Sequence, residues 1–246
     1  MMTDLVAAEW LKLRTTRLLH GMIPAAVLIS FAAVAGSVLA TDRAGIALES
    51  TRGIRRVLPI TGTGALLVLL VGILISAGEY RHGTAVDTYL TTPRRYRVVG
   101  AKLVVAACVG LAIGIITCVA CTGIAALLYD IKGATFPFDR GEVWLTLGGT
   151  LIYSTLFAVL GVGLGTLIRN QVIAVAGALA WIAIVEHILV NLVPAIGRWL
   201  PAAAGQAIVR TPLDDLLTPL GGVVLLSAYA AVAAFIGIRV AASRDA

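Results

Sequence analysis

The chain has 246 residues, 59% of them hydrophobic and only 13% charged, with a net charge of +6. That is roughly half the charge of a soluble domain, so the composition excludes an ordinary water-soluble protein and predicts a multi-span membrane protein. Cys108, Cys118 and Cys121 all lie in one apolar stretch, where a CxxC lacks the soluble setting of a redox motif; they are read as buried thiols.

The amino-terminal segment reads MMTDLVAAEWLKLRTTR. Val6, Trp10 and Leu13 recur at i, i+4 and i+7, with Glu9, Lys12 and Thr16 as a polar stripe beside them. This pattern predicts a helix over 3–17 lying in the membrane interface. A bilayer core of ~30 Å needs about 20 apolar residues of helix. Six stretches qualify, at about 19–40, 57–78, 103–129, 143–168, 172–193 and 219–240. They are continuous rather than alternating, which excludes a barrel wall. Val38 and Ala40 make a passable cleavage signature, but the apolar run exceeds a signal core, and a retained anchor is expected.

Between the second and third spans stands EYRHGTAVDTYLTTPRRYR, residues 79–97. Val86, Tyr89 and Leu90 share a helical face, Gly83 precedes it, and Pro93 ends it after Thr91 and Thr92. Arg94, Arg95 and Arg97 then return the chain to the headgroups. A short helix parallel to the membrane suits contact with a cytoplasmic partner; the plainer alternative is a loop of positive-inside arginines. Lys and Arg orient the chain. Eleven, including Lys12, Arg14, Arg81, Arg95 and Lys102, fall on the amino-terminal side of the membrane, against eight on the other, among them Arg43, Arg52, Arg55 and Arg56. Both termini are therefore expected in the cytoplasm.

Gly161, Gly163 and Gly165 in the fourth span permit close helix approach. Arg169, Asn170 and Gln171 make a tight turn that anchors topology or offers a second partner contact. Glu186 and His187 lie in the fifth span, with Asn191 beyond. Fourteen residues of helix from the inner end rise about 21 Å, placing the pair in the outer half of the bilayer. An ionisable group there faces the bundle, a partner or a watery path. Two readings stay open: a contact in an exit pathway, or a structural pairing with His187, an outer arginine or a second subunit. Adjacent residues point 100° apart, so at most one of the two faces a narrow path.

Some chemistry is missing. The pair Gly-Lys occurs nowhere, so no P-loop is present and the chain cannot hydrolyse ATP by that mechanism. His20, His82 and His187 are scattered, without HExxH or GxSxG, and no metal-ligand cluster appears. No cofactor is expected in this polypeptide.

Four segments in order, EWLKLRTTR before the first span, GEYRHGTAVDTYLTTPRRYRVVGAK after the second, GVGLGTLIRNQ closing the fourth and RWLPAAAGQAI after the fifth, resemble permease subunits of the type-2 ABC exporter family. The resemblance covers essentially the whole chain. It implies an all-α membrane protein of six transmembrane helices, a single domain over 1–246 with an N-terminal interfacial helix and a cytoplasmic coupling helix after span two. Short re-entrant helices would fill 194–218, where Pro194, Pro201 and Pro212 break the chain and Trp199 anchors it at the interface. The implied partners are an ABC ATPase subunit holding ATP and Mg, a second permease copy in a homodimer, and membrane lipids, with no nucleic acid. The implied activity is non-catalytic: export of a hydrophobic or amphipathic drug, antibiotic, peptide or lipid from the cell membrane. ATPase coupling would fall to Glu79, Arg81, Gly83, Val86, Tyr89, Leu90, Thr92 and Pro93, with Glu79 and Arg81 tethering the loop to the amino-terminal helix. The pathway would be lined by Glu186, His187, Thr61 and Thr63. The arginine-rich outer loop 41–58 departs from the family pattern. The alternative is a channel or secondary transporter without an ATPase, which should carry more intramembrane charge and an internal repeat. A lipid-modifying enzyme is disfavoured by the histidine count.

Overall fold

The computed structural model describes residues 2–16, 18–81 and 95–243. Most of these residues are helical, with no strand among them. Helix α1 (Met2–Thr15) precedes α2 (Leu18–Arg43), the first span. The second crossing is built in three parts: α3 (Thr51–Val57), a 3-10 stretch Leu58–Gly64, and α4 (Ala65–Arg81). Helices α5 (Arg95–Ile131) and α6 (Gly141–Ile168) are the third and fourth spans. The fifth is α7 (Gln171–Ala180), a π-helical turn Trp181–Glu186 and α8 (His187–Leu192). Two short helices, α9 (Pro194–Gly197) and α10 (Pro201–Ile208), lead to the sixth span, α11 (Pro219–Ser243). Six of these crossings are long and apolar enough to span a membrane, as hydropathy predicts.

An even number of crossings returns the last helix to the end where α1 lies. This is the amino-terminal end of the bundle; α3 lies at the opposite end. Helix α5, at 37 residues, is about 55 Å long, well beyond a ~30 Å hydrocarbon core.

The expected loop over 41–58 is corrected at both sides. The first span runs on to Arg43, and a helix begins at Thr51, where Ser50 caps it by accepting a hydrogen bond from the Gly53 N–H at 3.1 Å. Ser is a favoured cap because its oxygen satisfies an N–H that the first turn cannot. Arg52, Arg55 and Arg56 therefore stand on a helix, facing out, while Gly53, Ile54 and Val57 are buried behind them.

Helix α6 is the centre of the bundle, packed on α4, α5 and α11. Glycine makes this possible. A Cβ on Gly161 would collide with the Leu69 carbonyl, and one on Gly72 with the Ala158 carbonyl. The two helices thus meet backbone to backbone, where dispersion and a Ser76–Thr166 hydroxyl contact at 2.6 Å replace the hydrophobic drive that lipid cannot supply. Gly163 opens the same close approach to α11 at Ala233. The spans differ greatly in cover: 72% of the core window of the second is buried, against 11% of the fifth.

Candidate functional site

At the amino-terminal end, four charged side chains from three elements meet. Glu9 and Lys12 come from α1 one turn apart, Glu79 from the end of α4, and Lys102 from two turns into α5. Lys102 Nζ lies 2.8 Å from Glu9 Oε2 and 2.8 Å from Glu79 Oε1. Lys12 Nζ lies 2.7 Å from Glu9 Oε1 and 2.8 Å from the same Glu79 oxygen. The charges alternate and sum to zero. The Lys102 side chain is 3% exposed and that of Glu9 6%, so this is a desolvated network rather than a surface pair. Such a pair gains only if each ion keeps its hydrogen bonds. Here Glu9 accepts from both ammonium groups, Glu79 accepts from Lys12 and ion-pairs with Lys102, and Lys102 has the Ile75 carbonyl at 3.4 Å as well.

Lys12 is half-exposed. Burial pulls its pKa down, but the bonds to Glu79 and Glu9 outweigh that and hold it above its ordinary value. A cavity of 460 Å³ opens beside the network, lined by Glu9, Lys12, Thr15, Glu79 and Gln171 over Leu13, Leu18, Leu74 and Ile75.

Of the loop residues singled out from sequence, Glu79 therefore reaches α1, and Arg81 is exposed at the end of α4. Gly83, Val86, Tyr89, Leu90, Thr92 and Pro93 lie outside the described residues, as does Arg94. Lys102 is the member of the network that the sequence reading placed only as an inner-face base. Its signal was its position: a lysine one to two turns into an apolar helix needs a carboxylate, and Glu9 was the polar residue on the helix in front.

The same end holds a second arrangement that the sequence did not announce. Arg169 Nη2 donates to the Val240 carbonyl at 2.9 Å, and Arg95 Nη1 to the Ala241 carbonyl at 3.2 Å. Both guanidinium groups thus satisfy carbonyls in the last turn of α11, where no intrahelical donor remains and the helix dipole favours a cation. Arg169 also covers the Tyr80 ring at 5.3 Å. It sits at φ 54°, the left-handed cap that ends α6, and Asn170 then caps α7 by accepting from the Ile173 N–H. The turn between the fourth and fifth spans is these two residues.

Toward the opposite end, Glu186 is 1% exposed and its Oε2 accepts the Ala202 N–H at 2.7 Å. Ala202 is in the first turn of α10, so the fifth-span carboxylate caps a helix sixteen residues away. Of the partners left open by the sequence, neither His187 nor an arginine bonds it among the described residues; a backbone amide does, while its Oε1 has no hydrogen-bond partner among them. His187 faces out, and Asn191 Nδ2 donates to its carbonyl at 2.7 Å. The two neighbours point apart, as helix geometry requires.

Thr61 is buried, its hydroxyl donating to the Leu58 carbonyl at 2.7 Å and meeting Thr150 at 2.9 Å. This ties the 3-10 stretch to α6 and withdraws Thr61 from any exposed wall. Thr63 is exposed and lines a 390 Å³ cavity at this end together with Tyr153 and Gln206. The Tyr153 ring, stacked edge-on to Phe157 at 4.5 Å, fills the space where Gly205 has no side chain. It joins α6 to α10 and floors the cavity. Of the four residues proposed for a path, Thr63 lines this cavity and His187 faces out, while Thr61 and Glu186 are buried with partners inside the chain. No protein-family model matches the chain, and no curated protein matches it.

Proposed function

We propose that this chain is the permease subunit of an ATP-driven exporter, inserted with both termini in the cytoplasm and working with a separate ATPase. The observation that carries the reading is the charge network. It fastens an amphipathic amino-terminal helix to the root of the one long polar segment between spans, residues 79–97, and to the helix that follows. A force applied to that segment by a cytoplasmic partner passes through Glu79 and Lys102 into the second and third spans at once. In this reading α1 is the interfacial helix, Val86, Tyr89 and Leu90 are the docking face for the ATPase, and α9 and α10 are re-entrant helices at the outer face.

Two further features support it. The absence of Gly-Lys means that ATP must be hydrolysed elsewhere. The fifth span is the least covered of the six, with 11% of its core window buried, and so offers the most surface to a partner. A second permease copy against that span supplies a facing wall, with a hydrophobic or amphipathic substrate moving between the copies. Thr63 and His187 face outward and belong to that wall; Glu186 supports it by holding α10 in place.

Co-purification from native membranes tests the reading. A Walker-motif ATPase should come down in equal amount with the permease, and hydrolysis should be lost when the permease is removed. A homodimer with no ATPase under mild detergent would point instead to a channel or secondary transporter.

A further inference from the structure

The arginine face of α3 is unlike the charge network at the other end. Arg52, Arg55 and Arg56 recur at i, i+3 and i+4, so one side of the short helix is cationic. Arg55 is answered by Glu142, at 2.6 Å. Among the described residues Arg52 and Arg56 have no carboxylate partner. Asp214 and Asp215 follow closely after Pro212 and Leu213, but neither lines a cavity here or pairs with an arginine among those residues.

Two cavities meet at this face. The first, of 390 Å³, has an apolar floor of Ile60, Leu66, Tyr153 and Val209 with Arg56 at its edge. The second, of 530 Å³, is bordered by Thr51, Arg52, Arg55 and Arg56. Arg56 and Pro212 belong to both, so an apolar trough opens directly into a cationic one. The first volume is within the range of small-molecule pockets.

We propose that this is a binding site for an anionic phospholipid of the leaflet at that end. Its acyl chain lies in the Ile60–Leu66–Val209 trough and its phosphodiester faces Arg52 and Arg56. Each part of the molecule has its counterpart. A guanidinium fork matches phosphate oxygens in geometry as well as charge. The apolar floor rewards a hydrocarbon tail and does nothing for a free inorganic anion. Neither Asp214 nor Asp215 lines the two cavities, so the cationic rim itself offers no carboxylate to a choline or ethanolamine ammonium and a zwitterionic lipid gains less than an anionic one. This proposal stands apart from the export reading: it needs neither an ATPase nor a second copy.

Native mass spectrometry of the detergent-purified chain, titrated with phosphatidylglycerol, phosphatidylcholine or inorganic phosphate, tests it. Phosphatidylglycerol should be retained at least tenfold better than phosphatidylcholine. Arg52→Gln with Arg56→Gln should weaken its retention roughly 25-fold, about fivefold for each arginine. Arg14→Gln, a cation lost from the other end, should leave retention unchanged. Both arginines are exposed, and an unaltered melting temperature will confirm that the double variant folds. A phosphatidylglycerol with a photoreactive acyl chain should label peptides containing Leu66 or Val209. Equal retention of the two lipids, displacement by inorganic phosphate alone, undiminished retention by the double variant, or labelling confined to other peptides would each overturn the proposal.

Discussion

Two groups of charge stand at opposite ends of this bundle, and they are built on opposite plans. At the amino-terminal end Glu9, Lys12, Glu79 and Lys102 alternate in sign, sum to zero and satisfy one another at 2.7–2.8 Å. At the other end only Arg55 of the three arginines Arg52, Arg55 and Arg56 meets a carboxylate among the described residues, that of Glu142. The first group is enclosed and joins three helices. The second is open and bounds two cavities. Charge that is compensated inside the chain fixes architecture; charge left in excess at a surface is available to a ligand.

The comparison breaks most readily at Lys102. Lys102→Met keeps the length of the side chain but leaves Glu9 and Glu79 desolvated with only Lys12 to answer them. A loss of about 3–5 kcal/mol is expected, as for one partner removed from a buried pair, and thermal unfolding in detergent will measure it. Adding Glu9→Gln should recover part of that loss, since one uncompensated carboxylate is then gone. If the single variant melts like the wild type, the network contributes nothing.

An intermediate effect is expected at Glu186. Glu186→Ala removes the acceptor from the first turn of α10 and should cost about 0.5–2 kcal/mol, the range of a lost helix cap. Proteolysis or hydrogen exchange should localise the change to 194–218, while span packing stays intact. Lys12→Ala should cost less, roughly 0.5–1 kcal/mol, because its side chain is 43% exposed and water replaces much of what it gives. Removing Arg52 and Arg56 should fall within about 0.5 kcal/mol of neutral. That contrast between two lost arginines and one lost lysine is the comparison in its sharpest form.

The smallest effect concerns pH at the loop beside α3. Glu49 accepts the Thr135 N–H and hydroxyl, and these bonds, with Arg140 nearby, hold its carboxyl below its ordinary value of 4.5. A carboxyl depressed by folding stabilises above its unfolded pKa, and that contribution fades as pH falls through the lower folded value. Acidification from pH 5 to 3 should therefore loosen the Glu49–Thr135 contact, seen as weaker protection of the Thr135 amide relative to its intrinsic exchange rate at each pH, and Glu49→Gln should abolish that change in protection.

Hydropathy located the six crossings because burial in lipid demands some twenty apolar residues whatever the tertiary packing. Close packing was legible too: glycines 161 and 163 read as contact points and are contact points. The loop 41–58 was bounded by where the apolar runs end and begin, whereas Ser50 and the buried Ile54 and Val57 were enough to start a helix at Thr51. Glu186 was recognised as requiring a partner, but its partner is a backbone amide with no signature in the sequence. Thr61 could not be told from Thr63 by type; two positions along the 3-10 stretch decide that one meets Thr150 and the other a cavity. Lys102 and Glu9 were each visible alone, but their meeting depends on how α1 lies across the third span.

The central claim is that residues 79–97, rooted in the charge network, are where a cytoplasmic ATPase engages. A photoreactive amino acid placed at Tyr89 or Leu90 in intact cells tests it most directly. Illumination should yield one adduct, with a Walker-motif ATPase, and the same probe at Thr135 at the other end should yield none. An absence of ATPase adducts from Tyr89 and Leu90 alike, in cells where the chain is inserted and stable, would contradict the account.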